Sequence, residues 1–350
     1  MGRLYDVLDR AKTGLLRLEA RVDALPSKTI LLAAMRVREA QASSKIEDTI
    51  APLKDIALAE LDESQVDDQA IEVLRNRQAI EHGTESPLPV SIRLLSEMHR
   101  RLITAPSKRP GEFRDSQAYI GSESRGFERA RFVPPPPAQV AECMKQWELF
   151  VNPGAVNAPP RPRLPHLVEL ALAHYQFETI HPFADGSGRL GRAIVNITPI
   201  KNGDLRYPVC NLSEWVHDHR QEYYDGLLRV STHAEWEGWI RFFCTALAEQ
   251  AELDLKRADR VAALYDSYQQ LVTERRRSIM LTKLIDRLFE NQVITIVAAK
   301  RVMGVSYTAA QRHVEFLVAK GVLKQAGKLS YGKIYFAPAI LKAIRGQGED

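Results

Sequence analysis

His181-Pro182-Phe183-Ala184-Asp185-Gly186-Ser187-Gly188-Arg189-Leu190-Gly191-Arg192 is the stretch on which the reading of this 350-residue chain turns. The run before it, Leu167 to Ile180, is strongly apolar and predicts a buried helix. Proline disfavours helix at the residue it follows, so that helix is expected to stop at His181. Gly186 and Gly188 admit backbone conformations closed to other residues, letting successive N–H groups converge into an anion nest. A second helix is expected from about Gly188, with its free N–H groups and its dipole facing the same spot.

Side-chain chemistry in the segment agrees with an anionic ligand. Arg189 and Arg192 are three apart, hence on one helix face, and can clamp phosphate oxygens. Asp185 offers a hard carboxylate oxygen suited to Mg²⁺ that already bridges phosphates. His181 is the one residue of the segment able to act as general base near neutral pH. Base, metal ligand, anion nest and two arginines within twelve residues describe a phosphoryl- or nucleotidyl-transfer site. A zinc pair of His174 and His181, seven apart, lacks a third ligand nearby.

Outward from this segment, helical periodicity dominates. Thr29–Ser43, Val90–Ile103 and Val140–Phe150 read as helices, as do Trp236–Leu255 and Ala262–Gln270 after the motif. Between Pro110 and Pro137 the character changes. Gln117–Ile120 and Ala130–Val133 flank a polar stretch with Gly121 and Gly126, which predicts a β-hairpin. Pro134 to Pro137 is expected to exclude both helix and sheet. Glu274 to Arg277 reads as a solvated hinge, and residues 275–350 hold 14 Lys/Arg against 5 Asp/Glu, a net +9 in a chain of net +4.

Composition is that of a globular protein, with 45% hydrophobic and 26% charged residues. Cys143, Cys210 and Cys244 are sparse and far apart, which argues for a reducing compartment and against a disulfide framework. The amphipathic N-terminus lacks a secretory signal, and no apolar run approaches the ~20 residues that span a bilayer. A soluble, cytoplasmic protein without membrane partners is expected.

The central segment resembles the signature of the Fic (filamentation induced by cAMP) family, His-x-Phe-x-(Asp/Glu)-Gly-Asn-Gly-Arg-x-x-Arg, at every fixed position but one. Ala173–His181 is similar to the helix that precedes the signature. Pro110–Arg114, Tyr119–Gly121 and Phe132–Pro135 are similar to the family's substrate flap, and Leu212-Ser213, Tyr223-Tyr224 and Trp236–Phe243 to its later helices. The resemblance implies a protein adenylyltransferase with ATP and Mg²⁺ as cofactors. His181 would deprotonate a Ser, Thr or Tyr hydroxyl of a protein docked on the 118–133 flap. Asp185 would hold Mg²⁺, while Gly186, Ser187, Gly188, Arg189 and Arg192 would bind the nucleotide. Ser187 stands where the family has Asn, a shorter donor whose substitution is expected to slow transfer.

Ser43-Ser44-Lys45-Ile46-Glu47-Asp48 resembles the family's inhibitory motif, (Ser/Thr)-x-x-x-Glu-(Gly/Asn). By that match Glu47 pairs with Arg192 and Ser43 braces the loop, while Asp48, in place of Gly or Asn, is expected to loosen the restraint. Removal of AMP is a further activity this Glu allows. From Ile294 to Phe336 the order helix, turn, helix and two-stranded wing resembles a winged helix-turn-helix. Ala310, Val314, Leu317 and Val318 are expected inward, and Tyr307, Thr308, Gln311 and Arg312 outward, toward DNA or a protein. The resulting expectation is a mainly α chain, a Fic-type helical bundle with a β-hairpin flap and a C-terminal winged helix-turn-helix. Its divisions are an N-terminal helical region with the inhibitory helix over 1–95, a catalytic core over 96–255, a helical linker over 256–278 and the basic winged helix-turn-helix over 279–350. A homodimer is compatible with it. The alternative is a weakly active nucleotide sensor that regulates transcription by binding DNA.

Overall fold

The structure, a computed structural model, describes residues 2–25, 27–121, 130–160, 162, 164–273, 279–326 and 332–345. Gly126, expected in the hairpin, the run Glu274 to Arg277, expected as a hinge, and Gly327, expected in the wing, lie outside the described residues. In chain order the first helices are α1 (Gly2–Asp23), α2 (Lys28–Ile46), α3 (Leu53–Ala59), α4 (Asp68–Glu85) and α5 (Ile92–Leu102). Then come α6 (Pro137–Val151), α7 (His166–Ile180), α8 (Ser187–Lys201), α9 (Ser213–Asp218), α10 (Arg220–His233) and α11 (Trp236–Thr273). The remainder is α12 (Ile279–Glu290), β1 (Val293–Thr295), α13 (Ile296–Met303), α14 (Tyr307–Ala319), β2 (Lys324–Ala326), β3 (Ile334–Phe336) and α15 (Pro338–Arg345). The fold is mainly α, and no described helix is long and apolar enough to cross a membrane.

The chain sorts into two compact units that do not follow sequence order. One gathers residues 1–19, 42–49 and 75–252, the other 20–41, 50–74 and 253–350. The stretch over 1–95 is therefore shared between the two rather than forming a block of its own, because α1, α2 and α4 each cross a division. Residues 256–273 of the expected helical linker continue the 38-residue α11, which begins at Trp236.

In the first unit α7 is the central rod. Val168, Leu170, Ala173, Phe177 and Ile180 are all buried, so apolar residues cover most of its surface, while Gln176 reaches solvent. Two indoles brace it: Trp147 Nε1 donates to Ala173 O at 2.9 Å and Trp239 Nε1 to Ala171 O at 2.9 Å. Buried tryptophans need such partners, since an unsatisfied N–H costs about 1–3 kcal/mol. Pro137, expected to exclude helix, instead begins α6, the first helical position where a missing N–H is harmless. The expected hairpin is reduced, among the described residues, to one antiparallel bridge between Ile120 and Phe132.

The second unit contains a three-stranded antiparallel sheet in the order β1-β3-β2, with Val293 opposite Phe336 and Lys324 opposite the same residue. Thr295 caps α13 by accepting from Ala298 N at 3.1 Å, and Ser306 caps α14 by accepting from Ala309 N at 3.2 Å. Between them Gly304 takes φ 67°, which ends α13. On α14, Ala310, Val314 and Leu317 are buried, whereas Val318, expected inward, is 37% exposed because it sits one step off that stripe.

Candidate active site

α7 ends at His181, whose φ of 48° is left-handed, a conformation that costs a residue with a Cβ about 1–3 kcal/mol. Pro182 imposes the break, and Arg114 holds it. Buried Arg114 donates from Nε to His181 O at 2.8 Å and from Nη2 to Ile180 O at 3.3 Å, while its own N–H reaches Pro182 O at 2.9 Å. The same guanidinium donates to Ser116 O at 3.1 Å and Pro135 O at 2.5 Å, one on each side of the flap. His181 is half-buried, its Nδ1 is enclosed with no hydrogen-bond partner among the described residues, and desolvation pushes its pKa down to about 4. It is therefore neutral and able to accept a proton.

The loop from Pro182 to Gly186 is folded around Phe183, which is fully buried and stacks on His99 of α5 with ring centroids 4.0 Å apart. His99 Nδ1 accepts from Gly111 N at 2.7 Å, so the proton is on Nε2, which donates to Asp185 O at 2.9 Å. Burial lowers its pKa and keeps that tautomer. Gly186 follows at φ 78°, where a Cβ would press on Leu102. α8 then starts at Ser187.

Ser187 does not face the nest with its hydroxyl. Its Oγ accepts from Phe183 N at 2.9 Å and donates to Phe183 O at 3.0 Å. The side chain closes the loop on itself. Ser187→Ala leaves both buried backbone groups without that partner and is expected to lower stability by about 1–3 kcal/mol, read from a denaturant titration.

Asp185 is held by two cations. Oδ2 meets Lys108 Nζ at 2.5 Å and Oδ1 meets Arg189 Nη2 at 2.9 Å. Burial alone would raise its pKa, but Lys108 and Arg189 outweigh it and hold the carboxyl below its ordinary range. Among the described residues no cluster of three or more His, Cys, Asp or Glu side chains could hold a metal. A cation on Asp185 would thus share its coordination with a ligand's oxygens.

Arg192, 1% exposed, is turned toward the end of α2. Nη2 donates to Glu47 Oε1 at 2.7 Å and to Ser43 O at 2.9 Å, and Nε donates to Ser43 Oγ at 3.0 Å. Burial would raise the Glu47 pKa, yet Arg192 brings it below the usual carboxylate value. A Cβ on Gly188 would overlap Glu47 Oε1, so this carboxylate lies directly over the first turn of α8, where an anion would sit. Asp48 adopts φ 62°, the left-handed conformation that Gly or Asn would supply, and Asp tolerates it. Arg220 of α10 grips it through Nη1–Oδ1 at 2.8 Å and Nη2–Oδ2 at 3.2 Å.

The structure thus brings together His181, Asp185, Gly186, Ser187, Gly188, Arg189, Arg192, Glu47 and Ser43 at the α7–α8 junction. His174 stands apart from any metal chemistry, with Nδ1 3.0 Å from Gly191 O and Nε2 2.9 Å from the Tyr223 hydroxyl. His99, Lys108, Tyr223 and Arg220 were not singled out for these contacts by the sequence. One signal was available for His99, a histidine on the apolar stripe of α5 with Leu95, Met98 and Leu102. A cavity of about 530 Å³ is lined by His166, Leu170, Thr198 and Asn202, at the opposite ends of α7 and α8, away from these groups.

Residues 89–198 match the Fic/DOC family and residues 5–85 match the Fic/DOC family N-terminal domain. "Protein adenylyltransferase Fic" of Aedes aegypti is 30% identical over 168 residues, 47% of this chain and 29% of that protein. The protein of that name from Drosophila grimshawi is 28% identical over 169 residues, 48% of this chain and 31% of that protein. The chain spans less than a third of the length of these curated relatives. Among solved structures, a Fic family protein from Desulfovibrio desulfuricans aligns over 100% of this chain and 98% of its own, with TM-score 0.59 and 19% identity. Fic-1 of C. elegans aligns over 72% of each chain with TM-score 0.52 and 21% identity.

Proposed function

The chain belongs to the Fic/DOC family, and from that premise we propose that it is an autoinhibited protein adenylyltransferase acting through the α7–α8 junction. The observation that carries the reading is the convergence of a neutral imidazole, two arginines and a glycine-flanked helix start on one spot. In the reaction, the hydroxyl oxygen of a target Ser, Thr or Tyr bonds to the α-phosphorus of ATP. The bond from that phosphorus to the bridging oxygen breaks, pyrophosphate leaves with the electron pair, and the hydroxyl proton passes to His181. N–H groups at the start of α8 would stabilise the charge on the α-phosphate, and Arg189 and Arg192 would bind the distal phosphates. Asp185, a carboxylate now matched only by cations, fits Mg²⁺ in place of Lys108. Bound there, Mg²⁺ supplies charge neutralisation to the phosphates.

Glu47 supports the autoinhibited form of the reading, since it occupies Arg192 and overlies Gly188. The same carboxylate would orient water for removal of AMP. The test is incubation with Mg²⁺ and ATP radiolabelled at the α-phosphate, comparing wild type, His181→Ala, Ser187→Asn and Glu47→Gly. Protein-bound label in wild type or Glu47→Gly that is lost on adding His181→Ala supports the reading. No label in any variant overturns it.

A second reading, a nucleotide-sensing DNA-binding regulator, draws on the exposed Tyr307, Thr308 and Arg312 at the start of α14. Under it, the full chain binds duplex DNA from its own upstream region in fluorescence anisotropy, and Arg312→Ala weakens binding together with its salt dependence. Unchanged anisotropy with the full chain removes this reading.

A further inference from the structure

Arg114 is a buried cation that the transfer reaction does not use. It is 4% exposed, and among the described residues its side chain meets four backbone carbonyls and no carboxylate. Nε donates to His181 O and Nη2 to Ile180 O, while Nη1 donates to Ser116 O and Nη2 also to Pro135 O. Ile180 and His181 close α7, where the last carbonyls of a helix lack intrahelical donors and form its negative pole. The cation is thus matched by a helix end rather than by an acid. Ser116 and Pro135 lie on the other side, at the two roots of the strand pair closed by the Ile120–Phe132 bridge. Gln117 Nε2 ties those roots again by donating to Pro134 O at 2.8 Å. A planar guanidinium, with donors on three nitrogens, spans both sets of carbonyls. An ammonium, with all its donors on one atom, cannot.

We propose that Arg114 is the joint between the flap and the general base, setting the backbone of His181 and both roots of the flap at one fixed spacing. A hydroxyl presented by the flap then arrives within reach of the imidazole. Arg114 is a positioning residue, since it acts through backbone carbonyls and touches no reacting atom. Its charge also faces His181, where it adds to desolvation in keeping the imidazole neutral, against the pull of Glu47. The joint predicts that the two sides loosen together. A disturbance of the flap at Arg131, which is ion-paired with Asp225, should be felt at the end of α7.

The kinetic consequence rests on the nucleotide-transfer reading above, whereas the mechanical one does not. Hydrogen exchange of the full chain is followed by mass spectrometry in peptides holding Ile120, Phe132 and His181, with peptides around Phe243 of α11 as reference. Arg114→Lys keeps the charge and loses the span, and Arg131→Ala frees the flap from Asp225 while leaving Arg114 in place. Both are expected to speed exchange at the flap and at His181 together, with the reference unmoved. The increase is about tenfold for Arg114→Lys, the equivalent of one lost hydrogen bond, and smaller for Arg131→Ala. Transfer is read in the Glu47→Gly background as self-labelling and as labelling of a synthetic peptide of alternating valine and threonine. There Arg114→Lys is expected to lower kcat by roughly 10–10²-fold, the cost of a displaced reacting group, and to raise KM for the peptide. ADP affinity is expected to stay within about twofold. Partial unfolding alone would lower kcat through the active fraction and leave KM unchanged. Exchange that rises on one side only overturns the proposal, as do kcat and KM equal to those of the parent. Arg131→Ala decides the exchange question if Arg114→Lys does not fold. If the parent labels neither itself nor the peptide, the nucleotide-transfer reading falls instead, and exchange alone decides whether Arg114 is the joint.

Discussion

His181→Ala is expected to lower AMP transfer by roughly 10²–10⁴-fold, the usual contribution of a positioned general base. Nucleotide affinity is expected to stay within about twofold, because the imidazole is not among the groups assigned to the phosphates. The fold is expected to survive as well. His181 Nδ1 has no partner to lose, and the backbone conformation at this residue is held by Arg114 rather than by the imidazole. Transfer is measured as radiolabel incorporated per minute in the Glu47→Gly background, where the basal rate is highest. A decrease in both transfer and ADP affinity by the same factor would show that the residue shapes the nucleotide site instead. Desolvation places the wild-type imidazole pKa at about 4, so protonation removes the base only as pH falls toward that value. Near neutral pH the wild-type rate should then carry no limb from this group.

Glu47→Gly is expected to act in the opposite direction. Its hydrogen bond to Arg192 is charge-assisted, a class worth about 1.5–3 kcal/mol. The Glu47 side chain is 39% exposed, so solvent screening takes the estimate to the low end, about 1.5 kcal/mol. A gain of about tenfold in transfer follows. Stability should move against activity. Arg192 is 1% exposed, and with Glu47 gone its hydrogen-bond partners among the described residues are the Ser43 hydroxyl and carbonyl. The melting temperature of Glu47→Gly should fall, and ATP, whose γ-phosphate replaces the lost carboxylate, should restore more of it than ADP. Equal rescue by ATP and ADP would mean that the γ-phosphate does not take the place of Glu47.

How much of this could be read from the chain depends on distance along it. His181 to Arg192 is contiguous, and the junction of two helices is written in its proline and glycines, so that part was legible. Glu47 and Ser43 were legible through a second short motif. Gly111, Arg114 and Tyr223 lie in stretches similar to the family's, but nothing local in the sequence shows which atoms they meet. Arg114 lies 67 residues from His181 and Tyr223 lies 49 from His174, and only packing around α7 selects them. Ser187 illustrates a different limit. The sequence gives a hydroxyl in place of a carboxamide, but not where it points, and it points at Phe183. In α11 the polar run around Asp254 and Arg257 interrupts the apolar pattern and reads as a break. There the two charges pair with each other while 1% and 3% exposed, and Arg257 Nε also donates to Ile344 O at 2.8 Å, so the helix passes through unbroken.

Within six residues α10 carries Arg220, which grips Asp48 beside Glu47; Tyr223, which backs His174; and Asp225, which is ion-paired with Arg131 at the root of the flap. The Ile120–Phe132 bridge region, the Glu47–Arg192 pair and the His174 contact behind α8 are thus fastened to one short rod. A change in α10 therefore bears on all three contacts at once.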